Sequence, residues 1–317
     1  MRVLVALGGN AMTSADGSAS PEAQIAAISK AMEPVAELVS LGHEVVLTHG
    51  NGPQVGNLLV KNELAASVVP PVPLDWCGAQ TQATVGFVVL DTLEVALRRR
   101  GLRRPAAALV TRTLVDRDDP GFTNPTKPIG RYLPQPEAQV LVDHGQTWQD
   151  RGERGWRRVV ASPEPLEILD ADSARALVDA GYVVVAGGGG GIPCVRDPDG
   201  SVRGVEAVID KDLSAAVLGR ALDVDVLVIA TDVEAVATGW GTPAQRELGV
   251  VSVAELRDLA AAGEFASGSM GPKVEAVCRF VEAGGTRAAI CALDRIAAAA
   301  LGEAGTVVRP SAPSTEE

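Results

Sequence analysis

The sequence predicts an α/β protein built on a mainly parallel sheet, with a small subdomain protruding from it. Three observations carry that expectation. Short β-branched runs alternate with stretches of helical periodicity, the signature of βαβ units. Hydrophobic residues make up 46% of the 317 residues but aromatics only 3%, a Val/Ala/Leu interior of the kind that fills parallel layers. Three apolar runs end in glycine turns, at Gly8-Gly9, Gly50-Asn51-Gly52 and Gly187 to Gly191, and ligands bind at that edge of a parallel sheet.

The first run, Val3 to Leu7, stops at Gly8-Gly9-Asn10. Glycine there lets backbone N–H groups approach an anion, because no Cβ stands in the way. No lysine or arginine follows within the turn, so a bound anion needs its counter-charge from elsewhere. Ser20-Pro21 forms an N-cap and N1 pair opening a helix with apolar Ile25, Ile28, Met32, Val35 and Leu38, kinked at Pro34 and closed near Gly42. The strand "HEVVLTHGNGP" follows, then a long helix from about Gly78 to Arg100, ended by Gly101.

Between Val115 and Pro165 the composition turns to Pro, Gly and charge, with little apolar periodicity. "GWRRVVASP" alternates like a strand there, and Tyr132, Trp148 and Trp156 offer packing groups, so an ordered protrusion over about 117–165 is expected. Regular α/β pattern returns with "GYVVVAGGGGGIPCV", a hairpin turn over Asp197 to Ser201, "VIDKDLSAAVLGRAL" and the strand "DVLVIATDV". A helix from Val253 to Ala262, the segment "GSMGPKVEAVCRFVEAGG" and the strand "RAAICAL" complete the body.

A net charge of −12 argues against sequence-independent binding to nucleic acid or an anionic membrane. No segment approaches transmembrane length, and the apolar run after Arg2 is too short for a signal peptide. Cys77, Cys194, Cys278 and Cys291 form no CxxC pair, which points to reduced, buried thiols. His43, His49 and His144 lack metal-ligand spacing, so no protein-held metal is expected. Together these features describe a cytoplasmic protein.

Only 5 of the 28 basic residues are lysines: Lys30, Lys61, Lys127, Lys211 and Lys273. A chain that uses Arg so freely keeps lysine where a compact ammonium is required. Lys30 and Lys61 fall on polar helix faces. Lys211 stands between Asp210 and Asp212 just before a helix, after the strand-like Val208-Ile209. It reads either as part of an exposed salt-bridge cluster with Asp212 as N-cap, or as a lysine aimed at a phosphate and oriented by an aspartate. Pro272 and Lys273 read as the first two residues of a helix, where a cation opposes the macrodipole unless an anion binds there. Lys127 lies in "NPTKPIG", where nearby prolines would present it at a defined angle; a plain surface loop fits as well. His49 reads as structural. The glycine spacings match neither GxGxxG nor a Walker A loop.

The ordered set "ALGGNA", "HGNGPQVGNLL", "PTKPIG", "GGGGGIPC", "EAVIDKDLSA" and "GSMGPKVEA" resembles the carbamate kinases of the amino acid kinase superfamily, from Arg2 to roughly Val308. The resemblance implies a three-layer αβα sandwich with an open, mainly parallel sheet. It also implies an N-terminal acceptor lobe over 1–205, including the protrusion, and a C-terminal nucleotide lobe over 206–317. The implied reaction is phosphoryl transfer between ATP and carbamate, with Mg²⁺ carried by the nucleotide, in a homodimer. Relatives such as acetylglutamate kinases carry a lysine two residues before the first Gly-Gly, where this chain has Ala6. The resemblance therefore gives the missing charge to Lys127, with Lys211, Asp210 and Lys273 completing the catalytic set. It places Gly8, Gly9, Asn10, Gly50, Asn51 and Gly52 at the acceptor, and Gly187, Gly188, Asp232, Met270 and Lys273 at the nucleotide. Gln80, Ala83 and Ala237 depart from the family pattern, the last where an aromatic is common near the nucleotide. Two other readings stand beside this one: another small-carboxylate kinase of the fold, or a non-catalytic nucleotide- or phosphate-binding regulator.

Overall fold

The strand β1 (Arg2–Leu7) lies inside an eight-stranded sheet, with five of its six residues buried, as its unbroken apolar run requires. The computed structural model describes residues 1–9, 20–265 and 269–311. After β1 come α1 (Pro21–Ser40), β2 (Glu44–His49), α2 (Gly52–Ala65), α3 (Leu74–Arg99) and β3 (Ala106–Ala108). β4 (Arg112–Val115) leads out to α4 (Pro120–Thr123), β5 (Lys127–Leu133), α5 (Gln135–Asp143), β6 (Trp148–Asp150) and β7 (Trp156–Val160). The chain returns through β8 (Pro165–Ile168), α6 (Ala171–Asp179), β9 (Val183–Val185), β10 (Ile192–Arg196) and β11 (Val202–Gly204). Then follow α7 (Lys211–Ala221), β12 (Val226–Thr231), β13 (Ala237–Thr238), β14 (Arg246–Glu247) and β15 (Val250–Ser252). The last elements are α8 (Val253–Ala261), α9 (Met270–Glu282), β16 (Arg287–Ala292), α10 (Ile296–Leu301) and β17 (Thr306–Arg309).

The main sheet runs β15-β17-β16-β12-β1-β2-β9-β3, parallel throughout except between β16 and β17. It contains strands from both sides of the 205/206 boundary. β1 has β2 on one side and β12 on the other, so strand order reverses at β1, and it is outside the C-terminal ends of the strands at such a point that open α/β sheets bind ligands. Side chains alternate between two cores, as the two-residue strand period dictates. Val3, Val5, Val45, Leu47 and Val228 pack under α1, α3 and α10, whereas Leu4, Ala6, Val46, Leu227 and Ile229 pack under α6, α7, α8 and α9. These are the three layers.

Ser20 caps α1, its Oγ accepting from the Ala23 N–H at 3.2 Å. Ile25, expected on the apolar face, is exposed, because α1 reaches the core only from Ile28 onward. Pro34 lies inside α1, which continues past it as one helix. α3 starts at Leu74 rather than Gly78, with Asp75 favourably placed in its first turn. α8 ends at Ala261, one residue earlier than read.

The protrusion is ordered: β5-β7-β6 form an antiparallel sheet, and Leu133, Ala138 and Trp148 make its own small core beside Trp156. The Arg157 guanidinium lies 5.0 Å from the centre of the Tyr132 ring. Ile129 and Val160 pack on Val55 and Leu59 of α2. Contact there is close enough that a Cβ on Gly56 would stand 3.2 Å from the Gly130 Cα. Among the described residues, no helix is long and apolar enough to cross a membrane.

Candidate active site

The start of α7 organises the site. Asp210 is its N-cap, one carboxylate oxygen accepting from the backbone N–H of Asp212 (2.9 Å) and Leu213 (3.4 Å). Its other oxygen accepts from Lys127 Nζ at 2.6 Å, a contact spanning 83 residues and tying the protrusion to the body. Asp212 sits on the buried face of the same helix. Its Oδ1 accepts from Lys211 Nζ, and its Oδ2 from Lys273 Nζ on α9 at 2.8 Å. Three lysines thus meet two neighbouring carboxylates, and one positive charge is left over for an anion.

The electrostatics follow from burial. Burial pushes the Lys211 ammonium below its ordinary value; Asp212 pulls it back up, and Lys273 pushes it down. Burial alone would raise the Asp212 carboxyl, but the two ammonium groups hold it well below the usual carboxylate range. Lys211 runs beside the first two glycine turns. A Cβ on Gly50 would lie 3.3 Å from the Gly9 nitrogen and 3.5 Å from Lys211 Cδ.

Several sequence readings are corrected here. Asp210, placed in the catalytic set, is the N-cap and hydrogen-bonds Lys127, whereas Asp212, the N-cap in the salt-bridge alternative, hydrogen-bonds Lys211 and Lys273. The signal was present: Asp212 shares a helix face with Ala215 and Ala216, three and four residues on, and a carboxylate on a buried stripe requires cations. Lys273 is the fourth residue of α9, not the second, and Asp212 offsets its unfavourable place near the positive helix end. Deleting it would therefore remove a partner of Asp212 as well as a cation that opposes the macrodipole.

Of the acceptor-side residues, Gly8 donates its N–H to Ala230 O (2.9 Å) and Gly50 donates to Leu7 O (3.0 Å). The Gly9 N–H, and that of Gly52 at the start of α2, have no acceptor among the described residues. Asn10 lies outside the described residues. Asn51 has φ −147°, outside the left-handed region, and its amide donates to Thr81 Oγ1 at 2.9 Å. Thr81 thus engages one donor of that amide.

Gly187 and Gly188 follow β9 on the β2 side of the sheet, away from Asp232, Met270 and Lys273 with which they were grouped. They are buried in a packing junction, not an open cradle. A Cβ on Gly188 would stand 2.4 Å from His49 Nε2, and one on Gly189 would stand 2.1 Å from Asn51 Nδ2. Gln82, which sequence reading passed over, clamps this junction from α3 through Gly188 O (2.9 Å) and the backbone of Thr111. His49 is structural as read: buried, it donates Nδ1–H to Gly50 O at 2.8 Å, and burial depresses its pKa to about 4.

Asp232 follows β12 at the sheet edge, its Oδ1 accepting from Thr231 Oγ1 at 3.0 Å, and half-buried Met270 opens α9. Ala6 is fully buried in β1. Gln80 and Ala83 are exposed on α3, and it is Thr81 and Gln82 between them that turn inward. Ala237 is buried in β13, with exposed Trp240 three residues on. Among the described residues, no group of three or more His, Cys, Asp or Glu side chains could hold a metal ion.

The amino acid kinase family profile matches residues 1–292. The chain is 41% identical to a carbamate kinase of Pyrococcus furiosus over 312 residues, covering 98% of this chain and 99% of that protein. It is 43% identical to a carbamate kinase of Thermococcus kodakarensis, covering 97% and 98% of the two chains. Its fold superposes on a Giardia lamblia carbamate kinase bound to AMP-PNP with a TM-score of 0.92, at 38% identity and 98% coverage of each chain. The chain therefore belongs to the amino acid kinase family, on the branch its carbamate kinase relatives occupy.

Proposed function

We propose that this chain is a carbamate kinase, transferring the γ-phosphoryl group of ATP to a carbamate oxygen to give ADP and carbamoyl phosphate, and catalysing the reverse. The observation that carries the reading is the convergence of Lys127, Lys211 and Lys273 on Asp210 and Asp212 beside the Gly9 and Gly50 turns. Carbamate is an anion at neutral pH, so its attacking oxygen needs no general base. His49, neutral and turned to Gly50 O, suits a site that requires none. What the reaction requires is positioning and charge neutralisation.

In this reading Lys127 neutralises the acceptor side, and the Gly9 and Gly52 N–H groups donate to the same anion. Lys211 bears on the transferred phosphoryl, and Lys273, Met270 and Asp232 lie toward the nucleotide. Asp212 keeps the two body lysines aimed and charged. Mg²⁺ enters as part of the nucleotide substrate and adds charge neutralisation on its phosphates. The 1–205 and 206–317 lobes are the acceptor and nucleotide sides of the crevice. The four buried, unpaired thiols suit a reducing cytoplasm. Trp76 and Phe87, both exposed on one face of α3, favour a homodimer through that face. The test is ATP formation from carbamoyl phosphate and Mg-ADP, with acetyl phosphate and acetylglutamyl phosphate as alternative donors. Preferential turnover of carbamoyl phosphate supports the proposal. Preference for another acyl phosphate makes the chain a different carboxylate kinase, and nucleotide binding without turnover makes it a regulator.

A further inference from the structure

A second cleft, of about 580 Å³, lies where the protrusion meets the body, between α2, the 66–73 connection and the segment after α5. Its charged lining is Arg158 from β7, Glu63 from α2 and Glu206 from the segment after β11. Leu59, Val72 and Leu141 supply an apolar wall. No side-chain hydrogen bond ties Arg158 to an acceptor among the described residues; Glu206 and Glu63 reach it only through the field. Burial accordingly pushes its guanidinium below the ordinary value, though arginine stays charged far above neutral pH. One Glu206 oxygen accepts from the Leu74 N–H at 3.1 Å, and Glu63 stands 3.7 Å from Arg131, beyond hydrogen-bond distance.

This arrangement selects its occupant by charge. A simple anion attracted to Arg158 meets two carboxylates, and a simple cation attracted to the carboxylates meets Arg158. A group carrying both charges satisfies all three. We propose that the cleft binds an aliphatic α-amino acid, its carboxylate on the Arg158 guanidinium, its ammonium between Glu63 and Glu206, and its side chain against Leu59, Val72 and Leu141. The volume suits a small ligand, and the paired Arg–carboxylate geometry gives orientation. The site is separate from the lysine cluster but adjoins its delivery strand. Arg158 pairs with Ile129 across β5 and β7, and Lys127 pairs with Val160 two residues along.

Isothermal titration of the full chain with L-norvaline, pentanoate and butylamine tests this, with and without saturating ADP. L-Norvaline should bind, and each single-charge analogue should bind at least about tenfold more weakly. Arg158→Gln should abolish binding. Glu63→Gln, on a partly exposed helix position where folding is not at risk, should weaken it severalfold, and ADP should leave it unchanged. The proposal is overturned by no heat with L-norvaline at tens of millimolar (roughly the weak limit of a specific site), or by equal binding of the three probes. Indifference to both substitutions, or displacement by ADP, overturns it too.

Discussion

The site's positive charge comes from two differently built regions. Lys211 and Lys273 rise from helices of the main body, and their shared Asp212 side chain is only 4% exposed. Lys127 comes from the protrusion, and its side chain is 32% exposed against Asp210 at 15%. The body pair is assembled as the second core forms, because α7 and α9 pack there. Lys127 arrives only when a separate small sheet docks on α2. The same charge is therefore fixed on one side of the crevice and delivered on the other. Substitutions on the two sides should separate accordingly.

The largest effect is expected at Asp212. Asp212→Asn leaves two poorly solvated ammonium groups facing each other, and breaking a buried pair costs about 3–5 kcal/mol. Both the unfolding midpoint in urea and turnover should fall steeply. A variant that keeps wild-type stability would mean the body pair is not structurally anchored after all.

Lys127→Ala should behave differently. Turnover of carbamoyl phosphate should drop by about 10²–10³, the size expected for loss of one oxyanion donor. Stability should change by less than about 1 kcal/mol, since the pair is partly solvated. ADP affinity, measured by titration, should barely move. A large loss of ADP affinity would place Lys127 on the nucleotide side and dissolve the contrast.

Acid should report the body region in two stages. His49 and Asp212 both have folded pKa values below their unfolded ones, so each contributes stability that disappears as pH falls. For His49 the contribution is complete above about 6.5 and is lost toward about 4, on the order of 3 kcal/mol. Asp212 follows below the ordinary aspartate value. Thermal melts between pH 7 and 4 should show the first stage, and His49→Gln should flatten it.

The smallest effect is expected from Gly56→Ala. The new Cβ, 3.2 Å from Gly130 Cα, shifts the docked protrusion by a few tenths of an ångström. Helix propensity gains about 1 kcal/mol at the same position. Stability should stay nearly level while turnover falls severalfold, and equal turnover would show that the docking tolerates slack.

The sheet was legible because fully buried parallel strands leave unbroken apolar runs, as in β1 and β12. The lysines were legible because arginine is otherwise so dominant. What could not be read was pairing: which carboxylate meets which lysine depends on bringing residue 212 to residue 273 across α7 and α9. The glycine run misled for a related reason. Glycine marks close approach, but sequence does not say whether the approaching group is a ligand or, as at Gly188 and Gly189, the side chains of His49 and Asn51. Asn51 shows the same limit, since sequence does not reveal that its amide donates to Thr81, thirty residues on.

Asp210 uses one oxygen to start α7 and the other to hold Lys127. The first turn of that helix and the seating of the protrusion are therefore joined through a single rigid carboxylate. Any loosening of the Lys127 contact would reach the cap, so the amide protons of Asp212 and Leu213, both bonded to Asp210, should exchange faster in Lys127→Ala. Deuterium uptake at those two amides therefore follows the seating of the protrusion without substrate or an attached probe.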